Sequence, residues 1–262
     1  MRLVDTHCHL DDRGFDGDRD AVLERARNSG VSDIVIPAID AANWDAVRGL
    51  CEARSGLFPA YGLHPLCLAT HRSEHLDALR EWIARERPVA IGECGLDYFV
   101  EDLDREQQQG IFDAQLRIAR DFDLPVIVHA RRAVDAVIAS LRRIGGLRGV
   151  VHSFSGSVQQ AEQLWTLGFR LGLGGPVTYP RANRLRRLAT TMPLEYLLIE
   201  TDAPDQPGAG HQGARNEPAF VLEVARTIAE LRNISVEAVA EATSRNAAAL
   251  FALPGQTPMG GG

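Results

Sequence analysis

Lysine is missing from this chain altogether, so all 28 basic residues are arginine. The absence excludes several mechanisms. There is no lysine to form a Schiff base, to anchor pyridoxal phosphate, or to reach the phosphates from a Walker-type loop. Nor is there a lysine to be carboxylated into a bridging metal ligand, so any bridge between two ions must come from Asp or Glu. Cysteine is scarce: Cys8, Cys51, Cys67 and Cys94 show no C-x-x-C spacing. They read as reduced, mostly buried thiols of a cytoplasmic protein. No apolar run reaches membrane-spanning length. The N-terminus enters a strand-like segment without the basic and apolar regions of a signal peptide.

Acidic residues outnumber basic ones, and the net charge is −7. That balance opposes broad adhesion to nucleic acid, while a local basic patch can still hold one phosphate. The 262 residues, 45% hydrophobic, are enough for a single domain with a substantial core.

Eight short apolar runs punctuate the chain: Leu3–Thr6, Asp33–Pro37, Phe58–Leu63, Val89–Glu93, Pro125–His129, Gly149–His152, Phe169–Leu173 and Tyr196–Thr201. Helical spacing separates them. Ile111, Phe112, Gln115, Leu116, Ala119 and Phe122 form one stripe. Asn216 is placed to cap a helix with Pro218 in its first turn and Phe220, Val221, Val224, Ala225, Ile228 and Leu231 facing inward. Ser235 is placed to cap the last helix, which runs through Phe251. Eight strand–helix repeats predict an α/β fold, a single TIM-type (β/α)8 barrel over residues 1–253. An open doubly wound sheet is the alternative. Residues 254–262, rich in Pro and Gly, read as a disordered tail.

His7 and His9 close the first run. Side chains two apart on a strand share a face, so both imidazoles converge while Cys8 turns away. His64 follows the third run, Glu93 ends the fourth, His129 the fifth, His152 the sixth, and Asp202 follows the eighth. All fall at the carboxyl ends of strands, the face where barrel active sites form. Four histidines and two carboxylates suit Zn²⁺, Mn²⁺, Fe²⁺ or Co²⁺, and a mixed site tolerates Mg²⁺. Six ligands exceed the need of one closed zinc site. Two divalent ions bridged by Glu93 would use them all, with His7, His9 and Asp202 on one and His129 and His152 on the other. Such a pair activates water and holds attacking and leaving oxygens, which is phosphodiester chemistry.

The ordered motifs DTHCHL at 5–10, GLHP at 62–65, GECGLDY at 92–98, PVIVHAR at 125–131, HSFSG at 152–156, ETDAP at 200–204 and RNEP at 215–218 resemble the TatD-type metal-dependent deoxyribonucleases of the amidohydrolase-like superfamily. Arg131-Arg132, the segment 178–182 and Asp205-Gln206-Pro207 are most similar to its YjjV-like subgroup. The resemblance implies a DNA hydrolase, often working from the 3′ end, with His7, His9, Glu93, His129, His152 and Asp202 as metal ligands. Asp202 would take the proton from the attacking water. His64 would stand near the substrate phosphate, as a cation or an N–H donor. An exonuclease of this kind is expected to be a cytoplasmic monomer with no membrane partner. A small-molecule amide, ester or phosphoester hydrolase is the alternative.

The remaining polar residues carry weaker expectations. Arg131 either holds a phosphate or makes a rim ion pair. Arg132, Arg181 and Arg215 read as solvated charge that could add to a basic rim. Glu200 is expected to orient ligands, and Asp97 to fix a loop. His71, His75 and His211 read as surface residues. Trp44, Trp82 and Trp165 read as helix packing. Tyr98 and Tyr179 either stack a base or pack.

Overall fold

The computed structural model describes residues 1–254; the predicted tail, apart from Pro254, lies outside them. Among the described residues, eight parallel strands follow one another around a single sheet in chain order. They are β1 (Leu3–Asp5), β2 (Val31–Pro37), β3 (Leu57–Tyr61), β4 (Ala90–Asp97), β5 (Val126–Arg131), β6 (Gly149–Val151), β7 (Phe169–Leu173) and β8 (Leu197–Ile199). The ring closes between its first and last strands. Thr6 N donates to Ile199 O at 3.2 Å, and Asp202 N donates to His7 O at 2.9 Å. Cys8 forms a parallel bridge with Ala203. The expected barrel is borne out, and the doubly wound alternative falls away.

Helices α1 (Arg19–Asn28), α2 (Trp44–Glu52), α3 (Glu74–Glu86), α4 (Arg105–Asp121), α5 (Val134–Ile144), α6 (Val158–Thr166) and α7 (Asn183–Thr191) connect successive strands. α8 (Val221–Arg232) and α9 (Val236–Phe251) follow β8. Local sequence explains several starts. Asp104 accepts the Glu106 and Gln107 amides at the head of α4. Ser157 and Gln160 form a reciprocal capping box on α6. Ser235 caps α9 as expected.

Asn216 does not cap α8, which follows a 3-10 turn at Pro218–Phe220. Its buried amide donates instead to the carbonyls of Thr201 and Asp205, at 2.8 and 2.7 Å. It therefore pins the loop that carries Asp202. A side chain that satisfies several carbonyls in the interior contributes more there than at a helix end.

Apolar residues form two layers. Outward-facing strand residues such as Ile36, Ile91 and Leu171 pack with Phe112, Leu116 and Val224 of the helices. A second cluster takes one residue from each of seven strands: Val4, Val35, Ala60, Ala90, Ile127, Val150 and Leu198. Leu250 and Phe251, at the end of α9, join this ring and plug the barrel floor. α9 ends there, at Ala252 in the left-handed conformation.

Candidate metal centre

At the opposite end the inward column turns polar. His129 lies two residues beyond Ile127, and His152 two beyond Val150, so strand alternation carries both rings into the mouth. Glu93 needs more than alternation, because Ala90 already faces inward. The β4–β5 register shifts between Ile91 and Cys94. That irregularity turns Glu93 inward and leaves Cys94 buried outside the ring. Gly95 lets β4 and β5 approach closely at this point, since a Cβ there would sit 2.0 Å from His129 O.

Glu93 is the centre of the site. Its Oε2 lies 3.1 Å from His7 Nε2 and 3.4 Å from His9 Nε2. Its Oε1 lies 2.7 Å from His152 Nε2, 3.1 Å from His129 Nδ1 and 3.0 Å from His64 Nε2. Asp202 Oδ1 stands on the first side, 3.4 Å from His7 Nε2 and 3.6 Å from His9 Nε2. Asp202 adopts a left-handed backbone (φ 58°), a conformation that costs free energy and aims its side chain back over the mouth. Gln206 Nε2 donates to its other oxygen at 2.5 Å.

Other groups orient these rings. His9 Nδ1 donates to Pro37 O at 3.2 Å. His129 Nε2 meets Asp97 Oδ2 at 3.0 Å, which leaves Nδ1 facing Glu93. Asp97 also accepts the Phe99 and Val100 amides, so the loop-fixing role holds and a second role is added. Glu200 Oε1 accepts the Ser153 amide at 2.5 Å and lies 3.7 Å from His152 Nδ1. Gly172 makes room for it, because a Cβ there would fall 2.1 Å from Glu200 Oε2. Asp5, also buried, accepts the amides of His7 and Thr201 and ties the two sides of the barrel seam.

Charge explains why such a cluster suits a cation. Burial alone would raise the Glu93 carboxyl, yet the imidazoles around it, His152 foremost, hold it well below the usual range. Burial opposes a charged His9, but Glu93, Asp202 and Asp11 push it up to about 9. His129 is raised against burial by Asp97 and Glu93, and His152 by Glu93 and Glu200. Burial pushes Asp202 up to about 6. The carboxylates demand positive charge, which ring protons or a divalent cation can supply. Three donor triads lie within coordinating reach: His7–Glu93–His152, His7–His9–Asp202 and His64–Glu93–His129. Nitrogen and oxygen donors, with most ring nitrogens behind them engaged, fit a divalent metal. His7 Nδ1 and His152 Nδ1 are the buried exceptions, without a hydrogen-bond partner.

The structure corrects several expectations around this core. His64 is buried and its Nδ1 accepts the Leu66 amide, so the proton sits on Nε2, aimed at Glu93. Burial pushes its pKa down to about 4, which removes the cationic role and keeps the N–H donor. His71 is no surface residue: buried, it places Nε2 2.8 Å from His64 O. His211 is half-buried, stacked on Phe220. Tyr98 and Tyr179 do not line the cleft. Tyr179 donates to Pro207 O, and Tyr98 lies under the Arg105 guanidinium.

Arg131 lines the cleft, its guanidinium 3.7 Å from the exposed Phe99 ring, with no carboxylate partner among the described residues. The rim ion pair is therefore absent at this position. Arg132 lies over the same ring, whereas Arg215 is held by Asp18 and Glu217 and adds nothing to a rim. Cys8 and Cys94 point away, to backbone carbonyls. Trp44 and Trp165 pack as expected, against Tyr61 and Tyr196.

Sequence reasoning missed two glutamines. Gln115 pairs with both backbone groups of Leu63, at 2.8 and 3.0 Å. Gln108, two turns earlier on α4, does the same to Asp97. Each fixes a strand end that presents a site residue. Buried glutamines seven apart on an otherwise apolar stripe were the available signal.

The cleft above the centre has a volume of about 720 Å³ and opens to solvent past Asp11, Leu66 and Asp205. A (β/α)8 barrel with clustered histidines and carboxylates in its mouth defines the class, a metal-dependent hydrolase. Within that class the chain belongs to the TatD family: residues 4–252 match the family described as TatD related DNase. It is 44% identical to the uncharacterized metal-dependent hydrolase YjjV of Escherichia coli K12, over 97% of this chain and 99% of that one. The crystal structure of that TatD homologue superposes with a TM-score of 0.92, covering 97% of this chain and 99% of the other, at 43% identity. The mouse protein named putative deoxyribonuclease TATDN3 is 32% identical, over 96% of this chain and 88% of its own length.

Proposed function

We propose that this protein hydrolyses the phosphodiester bonds of DNA, removing nucleotides from the 3′ end. The observation that carries the reading is the division of Glu93. One carboxylate oxygen faces His7 and His9, with Asp202 beside them, and the other faces His129 and His152. Two divalent ions bound by these sets would activate a water and neutralise charge on the phosphoryl oxygens.

The chain's own residues supply the rest. Asp202 stands at the edge of the donor cluster, where its carboxylate can take the proton of the attacking water. The neutral His64 offers its Nε2–H toward the same centre. Arg131, free of any carboxylate at the rim, holds a phosphate bidentately. Asp97 keeps the His129 ring in place, and Glu200 sets a negative charge 3.7 Å behind His152. The name of the mouse relative supports the choice of DNA.

A second reading is a small ester or amide, favoured by Asp11, Asp12 and Asp205 in the lining of the mouth. Metal-stripped protein reconstituted with Mg²⁺, Mn²⁺ or Zn²⁺ should shorten a 5′-labelled single strand stepwise. It should release labelled mononucleotide at once from a 3′-labelled strand. A Glu93→Ala variant should do neither. Two bound ions per chain without cleavage of either strand would turn the assignment to the small substrate.

A further inference from the structure

We propose that the groove between α6 and α7 holds a second stretch of the DNA strand, with Arg184 and Arg187 on phosphates that are not cleaved. The proposal rests on the nuclease reading above and names where the substrate runs once it leaves the metal centre.

Charge distribution is the first support. Residues 163–194 contain five arginines and no acidic residue, in a chain of net charge −7. Several arginines elsewhere are neutralised locally, Arg25 by Glu217, Arg80 by Asp121 and Arg215 by Asp18, whereas Arg131 at the cleft is not. Arg184 and Arg187 have no carboxylate partner among the described residues. Three apart on α7, they share a face. That face lines a groove of about 570 Å³ whose other wall is Ser157 and Gln159 at the start of α6. Unpaired guanidiniums beside hydroxyl and amide groups suit phosphate oxygens, which accept from all of them.

Continuity is the second support. Leu185, between the two arginines, lines the main cleft, as does Ser155. Arg184 Nη2 donates to Ser155 O at 2.6 Å. The groove and the cleft thus share a wall, and a strand whose 3′ end sits over Glu93 can continue along α7. Acidic groups crowd the rim after β1, at Asp11 and Asp12, and repel a polyanion from that exit. Single-stranded nucleic acid is tracked in this way by a basic groove without reading sequence.

The test compares wild type with the Arg184→Glu/Arg187→Glu variant, with Arg226→Glu on the exposed face of α8 as a charge control. Two readouts are used: kcat/KM on a dinucleotide and on a 20-nucleotide single strand, and anisotropy of a fluorescein-labelled dT12. The double variant should lose roughly tenfold more activity on the long strand than on the dinucleotide. The slope of its log affinity for dT12 against log salt should fall by about 1.4, the value for two lost phosphate contacts. Equal losses on both substrates, or an unchanged salt slope, would overturn the proposal. So would an Arg226→Glu loss as large as that of the double variant. Wild type that binds dT12 through these arginines but cleaves neither substrate would refute the nuclease reading and leave the groove standing. Wild type that binds no dT12 would refute the groove.

Discussion

The floor and the mouth of this barrel are made by the same strands and obey opposite rules. At the floor, seven strands contribute Val, Ala, Ile or Leu to a dry ring sealed by Leu250 and Phe251. Two residues further along β5 and β6, the same inward positions hold His129 and His152, and two beyond Leu198 stands Glu200. The floor is held by packing, where neighbours are interchangeable if volume is kept. The mouth is held by direction: the His9 and His129 rings are aimed by particular acceptors behind them, Pro37 O and Asp97. Stability should therefore live at one end and chemistry at the other, and substitutions at each end should read out separately.

The largest separation is expected from Glu93→Gln. Activity should drop by roughly 10³-fold or more, beyond the loss of one preorganised donor, and metal content measured by mass spectrometry should fall. The thermal melt of metal-free protein should hold. A Glu93→Gln protein that keeps two ions and turnover would undo the assignment of the centre. At the floor, Phe251→Ala should cost about 3–5 kcal/mol in denaturant unfolding while the metal-to-protein ratio stays that of wild type. Altered stoichiometry there would show that the two ends are not separable.

Smaller effects sharpen the comparison. Asp97→Asn removes the charge behind His129 and keeps its shape, so metal affinity by chelator competition should weaken about 10–100-fold. An unchanged affinity would reduce Asp97 to its loop. His71→Leu deletes one buried hydrogen bond to His64 O and should lower stability by only about 1 kcal/mol. A loss as large as that of Phe251→Ala would mean that the mouth carries the fold as well as the chemistry.

Much of this division could be read in the sequence, because period two is a strong signal. His7-x-His9, and the histidines ending apolar runs in 125–129 and 149–152, placed candidate ligands on one face without any structure. Glu93 came out at the right end of its strand, but the register shift that turns it inward is a property of two paired strands and leaves no mark in one. Residues that act on backbone were only partly legible for a related reason. His71 and Asn216 are recognised only by the carbonyls they meet, and Gln108 and Gln115 show in sequence as polar breaks in a stripe without naming their partners. Of the two readings open for Tyr98 and Tyr179, packing holds, while Phe99, which sequence reasoning passed over, is exposed beneath Arg131 and Arg132. Arginine pairing was equally hidden, since a guanidinium's partner is seldom its neighbour in sequence.

The seam between β1 and β8 has a consequence for how the protein comes into being. His7 and Asp202, joined there through backbone, are separated by most of the polypeptide. A ribosome-bound chain that has not yet emerged as far as Asp202 lacks one carboxylate of the centre and has an open sheet edge. Competence arrives only when the earliest residues meet some of the latest, so catalysis itself certifies that synthesis has passed the final strand. The hydrolase is thereby kept incomplete until its last strand has joined its first.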